Sequence, residues 1–333
     1  MKAVQLVEKN GPSSLEVVEL PKPEPGPSQV LVRMTSAGVN RAELMATNGH
    51  YPVPELPTTL GLEGGGYIES VGSDVKGWQE GDRVSPVHGS FQEKGNGSWA
   101  EYCLVESSEL VKAPKNLPDE QIGGLWLPYV TAWHGLHHLG NIGDSLVVAI
   151  PAASSSVGLA ALEICHLIGA TAIATTRTPD KVDAICDATK LPKERVIVTD
   201  EEKLKDGVKR ILGPGGKVDV FFDPIGGDFL QEELECIQRG GTIILYGGLG
   251  GRGNILTGVI VMKEVRVLGY HLGMLRRDLD LSNPDNTYAV LVRHFEQKNL
   301  KPLPAATFQF IEASAALESL ALNKHIGKVY LTF

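Results

Sequence analysis

Residues 145–175 place two short apolar strands on either side of a small-residue turn and a helix, and this unit constrains the fold around it. Ser145-Leu-Val-Val-Ala-Ile150 reads as a strand, Pro151 to Gly158 as a turn, Leu159 to Leu167 as an apolar-faced helix, and Thr171-Ala-Ile-Ala-Thr175 as a second buried strand. Strands joined by a helical crossover pair in parallel. The rhythm continues through strands at Arg195–Val198, Val218–Phe222 and Thr242–Tyr246, with helical patterns at Pro179–Ala188, Glu201–Leu212 and Phe229–Gln238. An α/β doubly wound parallel sheet is the architecture that fits.

A tight strand-to-helix turn with little side-chain bulk lets backbone N–H groups and the positive end of a helix approach a pyrophosphate. Against the pattern G-x-G-x-x-G, the three glycine positions hold Ala153, Ser155 and Gly158, so one glycine is kept. The turn alone also fits an ordinary strand–turn–helix without a ligand. Read as a nucleotide turn, it offers Ser154, Ser155, Ser156, Val157 and Gly158 to a diphosphate, partly through side-chain hydroxyls. Past the second strand, where an NAD site offers a carboxylate to the ribose, the chain has Thr176-Arg177-Thr178 and then Lys181. An acid there would repel a 2′-phosphate, whereas a guanidinium and an ammonium hold one, so the expected cofactor is NADPH.

The 333 residues suffice for two buried cores. Residues 1–120 alternate short apolar runs (Gln29–Met34, Gly66–Val71, Asp82–Val84, Ala100–Val105) with Gly and Pro, a pattern that fits a barrel-like or GroES-like β domain. Residues 121–268 carry the parallel-sheet (Rossmann) pattern, with a strand near Val265–Tyr270 at a sheet edge or a dimer contact. The tail, 269–333, ends in a strand at Lys328–Phe333 and is expected to complete the first domain. A net charge of −9 argues against a nucleic-acid binder or a basic membrane-surface protein. Met1-Lys-Ala-Val-Gln-Leu-Val reads as a strand, and no apolar run reaches bilayer length, so a cytoplasmic protein is expected. Cys103, Cys165, Cys186 and Cys236 are too scattered for a disulfide framework or a zinc knuckle.

Gly38-Val-Asn-Arg-Ala-Glu43, Gly49-His-Tyr51, Gly61-Leu-Glu-Gly-Gly-Gly66, Val71-Gly72, Gly81-Asp-Arg-Val84, Tyr129-Val-Thr-Ala-Trp133, Ala152 to Gly158, Asp223-Pro-Ile-Gly-Gly227 and Gly327-Lys-Val-Tyr330 follow one another through nearly the whole chain. In this order they resemble the medium-chain dehydrogenase/reductase superfamily, in its zinc-free quinone oxidoreductase (zeta-crystallin-like) and enoyl reductase branch. The resemblance implies a GroES-like catalytic domain beside a Rossmann domain, a small-molecule substrate and a homodimer. Zinc-using members resembling this chain place Cys where Asn40 stands and His where Leu62 stands. A carboxamide and an isobutyl group are not zinc ligands, so no metal is expected. Without a Lewis acid, the favoured chemistry is hydride transfer to a conjugated carbonyl or a quinone, whose charge spreads into an enolate or phenolate that hydrogen-bond donors stabilise.

The resemblance also assigns residues. Asn40 would stand beside the nicotinamide and substrate, the alternative being a turn residue satisfying local backbone. Tyr51 looks like the cleft tyrosine of polyketide enoyl reductases, a phenol suited to protonating an enolate or contacting substrate. Met45 departs from the second tyrosine of some quinone reductases. Thr131 would meet the nicotinamide carboxamide, and the backbone of Tyr246-Gly247-Gly248-Leu249 the nicotinamide. Lys328 is placed with the cofactor contacts and His271 near the cleft, each with simple exposure as the alternative. His134, His137 and His138 read as a packed or solvated helix face, and His88 to Ser98 as a lid or a surface loop. A zinc-free aldehyde or alcohol reductase and a non-catalytic NADPH-binding protein stand as alternatives.

Overall fold

The computed structural model describes residues 1–90, 96–273 and 279–333. The chain forms two compact units, Met1–Leu127 with Arg277–Phe333, and Pro128–Arg276. The segment 121–127 thus joins the first unit, where Gly123 N–H donates to Ser36 Oγ and Trp126 Nε1 to the Ser85 carbonyl.

In chain order the first unit begins with β1 (Lys2–Leu6), β2 (Leu15–Glu19), β3 (Gln29–Val39), α1 (Arg41–Thr47), β4 (Thr58–Thr59), β5 (Gly64–Val71), β6 (Arg83–Val84) and β7 (Tyr102–Glu106). The helix α2 (Trp126–Trp133) follows. The second unit continues with β8 (Val147–Ile150), α3 (Ser156–Ile168), β9 (Thr171–Thr176), α4 (Val182–Thr189), β10 (Val196–Val198), α5 (Leu204–Leu212), β11 (Val218–Asp223), α6 (Phe229–Cys236), β12 (Ile237–Leu245), α7 (Thr257–Lys263) and β13 (Arg266–Gly269). The tail supplies α8 (Thr287–Glu296), β14 (Pro304–Gln309), α9 (Ala313–Ala321) and β15 (Lys328–Thr332).

The first unit is GroES-like. Its larger sheet runs β14-β15-β3-β5-β6, with β7 also on β3, and a smaller sheet runs β2-β1-β4. The long strand β3 changes partner along its length: Ser36–Val39 pair with β15, and Gln29–Arg33 with β7. The C-terminal strand is therefore interior to the sheet that carries Gly38 and Val39, and this brings Lys328 to the start of α1. Leu6, Val39, Leu60, Trp99, Leu317 and Leu331 form one core, and Val30, Val32, Ile68, Val84 and Val105 another.

The second unit is a parallel sheet in the order β10-β9-β8-β11-β12-β13. The chain starts at β8, winds outward to β10, then returns beside β8 at β11. A sheet that reverses direction in this way opens a crevice at the carboxyl ends of the two central strands. Neighbouring Phe221 and Phe222 point to opposite faces and both are wholly buried, so the sheet is covered on both sides. Helix α6 stops at Cys236, and β12 starts at Ile237, five residues ahead of the strand start read from sequence at Thr242. The pairing with β11 slips between Val218 and Val220, and the Gly240-Gly241 pair, with Gly240 at φ 76°, takes up the irregularity.

Candidate active site

In the second unit the turn after β8 is pinned to the end of β9 by Ala153 N–H on the Thr175 carbonyl, at 3.0 Å. Ala152 has φ 50°, in the left-handed region where such a turn usually carries glycine. Ser155 N-caps α3, its Oγ accepting from Gly158 N–H at 3.0 Å. That oxygen serves the helix, which leaves its O–H as the group free to face a ligand. A Cβ on Gly158 would lie 2.7 Å from Ala153 Cα and 2.8 Å from the carbonyl oxygens of Ala152 and Ala153. The one retained glycine therefore lets the first helical turn rest directly on the loop. Ser154, Ser156 and Val157 are half-buried and Ser155 is exposed, at the positive end of α3.

At the end of β9, Thr176 is buried and Arg177 is exposed. The carbonyls of both are tied to the chain after β10, by Thr199 N–H at 2.9 Å and Asp200 N–H at 3.1 Å. Burial holds the Lys181 ammonium below its ordinary range; Asp180 opposes the shift and the Arg177 charge adds to it. No acid pairs with the Arg177 guanidinium among the described residues. Two cations that disfavour one another, beside a small-residue turn and a helix N-terminus, fit a phosphorylated dinucleotide.

Thr131 is buried on α2, which Tyr129 ties to α3 by donating to Glu163 Oε2 at 2.6 Å. The loops after β11 and β12 are zipped together by Leu249 N–H to the Pro224 carbonyl at 3.1 Å and Gly250 N–H to the Ile225 carbonyl at 2.7 Å. Tyr246 stacks on Phe222, and its buried hydroxyl has no hydrogen-bond partner among the described residues. Gly247 and Leu249 are exposed beside it, as is His271. His134–Leu139 forms a π-helical turn rather than a plain α-helix face, closed by Gly140 N–H on the Gly135 carbonyl. There His134 stacks on Tyr270 and His137 on Trp133, and burial pushes His134 down to about 4, so this imidazole is neutral at pH 7. Part of the loop read as a lid, residues 91–95, lies outside the described residues.

The first unit gathers four polar side chains around the start of α1. Glu43 is buried; its Oε2 accepts the Asn40 backbone N–H at 2.9 Å, and its Oε1 accepts Leu62 N–H at 3.0 Å and Asn40 Nδ2 at 3.4 Å. Glu63 Oε2 accepts Leu127 N–H at 2.9 Å, and its Oε1 pairs with the Lys328 ammonium. Lys328 Nζ also donates to Asn40 Oδ1 at 2.5 Å. Lys328, grouped in the sequence reading with the cofactor contacts, is thus buried and its ammonium engages Asn40 and Glu63. Burial pushes Glu43 up to about 7 against the pull of Lys328 and the Leu62 amide. Tyr51 lines a small recess with Glu43, Ala42, Ala46, Val53 and Leu60. Burial, then the Glu43 charge, raises the Tyr51 pKa, so the phenol keeps its proton.

Sequence reasoning missed Glu43, although Asn40-x-x-Glu43 is a capping-box signature, and it missed the Glu63–Lys328 pair. It also missed Glu233 on α6, a wholly buried carboxyl with no partner for either oxygen among the described residues. Burial, then Asp223 and Glu232, holds its pKa well above the ordinary carboxylate range. The folded state therefore keeps a proton that the unfolded chain loses near pH 4.5, and folding loses about 1.4 kcal/mol per pH unit above that point until the folded pKa is reached. Glu233→Gln should melt progressively higher than the wild type as pH rises from 5 to 8, whereas a melting difference independent of pH would refute this.

Residues 26–115 match the alcohol dehydrogenase GroES-like domain family, and residues 156–283 the zinc-binding dehydrogenase family. The mouse synaptic vesicle membrane protein VAT-1 homolog is 28% identical over 331 residues, covering 93% of this chain and 77% of that protein. Acryloyl-coenzyme A reductase of Sulfurisphaera tokodaii is 26% identical over 336 residues, covering 93% and 94%. Among solved structures, a Pseudomonas syringae quinone oxidoreductase superposes with a TM-score of 0.88 at 26% identity, over 100% of this chain and 99% of that one. Asn40 and Leu62 do not fit a zinc ion, since a carboxamide and an isobutyl group are not zinc ligands and the Asn40 oxygen is engaged by the Lys328 ammonium. Among the described residues, no three His, Cys, Asp or Glu side chains gather as a metal site.

Proposed function

This chain belongs to the medium-chain dehydrogenase/reductase superfamily, and we propose that it is an NADPH-dependent, zinc-free oxidoreductase that reduces an activated C=C bond (enone or enoyl) or a quinone. The observation that carries this reading is the pairing of a carboxamide, Asn40, with a protonated phenol, Tyr51, around the buried Glu43. These are hydrogen-bond donors, suited to a substrate that delocalises its negative charge. The nicotinamide, when bound, supplies the hydride. Asn40 Nδ2 donates to the substrate oxygen on which charge collects, and Tyr51 gives its proton to the resulting enolate, water restoring the phenol afterwards. Arg177 and Lys181 hold the 2′-phosphate, and the turn from Ser154 to Gly158 holds the diphosphate. Thr131 and the backbone at Tyr246, Gly247 and Leu249 receive the nicotinamide end, and Thr176 the ribose.

Four buried free thiols suit a reducing cytoplasmic setting, and no helix among the described residues is long and apolar enough to cross a membrane. A homodimer through β13 completes the proposal. Among the described residues this strand pairs on one side only, and α7 nearby exposes Val261 and Met262. Light scattering should therefore return twice the chain mass.

NADPH consumption followed by absorbance, with an enone, a naphthoquinone and a simple aldehyde as acceptors, tests the activity. Turnover with the enone or the quinone and none with the aldehyde is the expected pattern. Turnover confined to the aldehyde would make the protein a carbonyl reductase. Tight NADPH binding with no acceptor reduced would make it a nucleotide-binding protein.

A further inference from the structure

Asn40 is held from both ends. Its carboxamide oxygen accepts from the Lys328 ammonium at 2.5 Å, and its nitrogen donates to Glu43 Oε1 at 3.4 Å. Reversing the amide would set an NH₂ against an ammonium and a carbonyl against a carboxylate, so one orientation is fixed. Lys328 is itself locked: it is 2% exposed, paired with Glu63, whose other oxygen is taken by Leu127 N–H. The buried ammonium has three N–H donors, and the Asn40 oxygen accepts one of those that Glu63 leaves. A cation on the carbonyl oxygen withdraws electron density from the amide and makes the remaining N–H a stronger donor.

We propose that Lys328 is a positioning residue that acts through Asn40, orienting and polarising its carboxamide so that the second Nδ2–H is a fixed hydrogen-bond donor. The inference rests on the reading of Asn40 as the donor to the substrate oxygen. It adds that the positive charge supporting this donor comes from the last strand of the chain, 288 positions away. The charges around the amide are Lys328 from β15, Glu43 from α1 and Glu63 from the segment before β5, with the Tyr51 phenol on the recess that Glu43 lines. Glu43 and Glu63 do not compete for the ammonium in a way that frees it: Glu63 pairs with it directly, while Glu43 takes the nitrogen side of Asn40.

The test is a double-mutant cycle on the 333-residue chain. Lys328→Met leaves Glu63 buried without its counter-charge, so the cycle uses Lys328→Met/Glu63→Gln, which removes both charges together; its fold is checked by circular dichroism and melting. Asn40→Ala and Lys328→Met/Glu63→Gln should each lower kcat about tenfold, with the NADPH Kd unchanged. The triple variant should remain about tenfold down, because the second change removes what the first had already disabled. A triple variant about a hundredfold down, or full kcat in Lys328→Met/Glu63→Gln, would overturn the proposal.

A second readout does not depend on turnover. In protein labelled with ¹⁵N-asparagine, the Asn40 side-chain NH₂ pair, assigned by its loss in Asn40→Ala, should lose its exchange protection in Lys328→Met/Glu63→Gln. Unchanged protection would also refute the inference. If the protein reduces none of the acceptors, the functional reading fails while this measurement still decides whether Lys328 holds the amide.

Discussion

Exchanging Arg177 and Lys181 together for Ala should weaken NADPH binding by about 100-fold while leaving NADH within about threefold. Charge-assisted hydrogen bonds to a phosphate contribute about 1.5–3 kcal/mol each when sheltered, and the lower end applies because Arg177 is exposed and screened. A phosphate contact with Lys181 would be the firmer, since this side chain is half-buried and its charge is already disfavoured by burial and by Arg177. A dianionic phosphate between the two would relieve that repulsion, which couples the residues: each single variant should lose about tenfold or more. Calorimetric titration of both cofactors at one fixed ionic strength gives the answer. Equal losses for NADPH and NADH would show that these cations face something other than the 2′-phosphate.

The parallel-sheet unit was legible because its determinants are local. Strand, small-residue turn, helix and second strand follow one another within 145–175, and Arg177 and Lys181 fall at a spacing fixed by the strand. Two features escaped even there. The hydroxyl of Ser155 is an acceptor for the helix, a role the residue type permits and the pattern does not announce. The early start of β12 was hidden because Gln238-Arg239-Gly240-Gly241 is polar and glycine-containing, so the segment has no strand alternation to read.

The side-chain cluster at the start of α1 was legible only in part. Asn40 and Tyr51 stood out from the resemblance, and Glu43 could have been found from its spacing to Asn40. The Glu63–Lys328 pair could not, because it joins residues 265 apart through a strand order that places β15 beside β3. Buried ion pairs of this kind carry no local signature; nothing in the sequence around Glu63 or Lys328 names the other as its partner until the sheet is assembled. Glu233 was invisible for a similar reason, since it stands between Glu232 and Leu234 with Glu235 beyond, and nothing local distinguishes the one buried carboxyl from its neighbours.

Gly38→Ala should unfold the first unit about 10 °C earlier, a loss of about 3–5 kcal/mol. A Cβ there would stand 2.3 Å from Glu63 Oε1 and 2.7 Å from Lys328 Cε, and both side chains are almost wholly buried. Neither can swing into water, so making room for one methyl group means breaking the ion pair or pushing β3 off β15, to which Gly38 is paired through Tyr330. In a strand interior the exchange of Gly for Ala ordinarily stabilises by about 0.5–1 kcal/mol, so the sign of the change decides whether this contact governs. The loss should vanish in a Glu63→Ala/Lys328→Ala background, which is destabilised already but no longer holds the clashing atoms. Differential scanning calorimetry of the wild type and the three variants separates the outcomes. An undiminished penalty in that background would place the cost in the strand pairing instead of the buried pair, and a rise in melting temperature for Gly38→Ala alone would mean that Glu63 and Lys328 are not packed against Gly38 in solution.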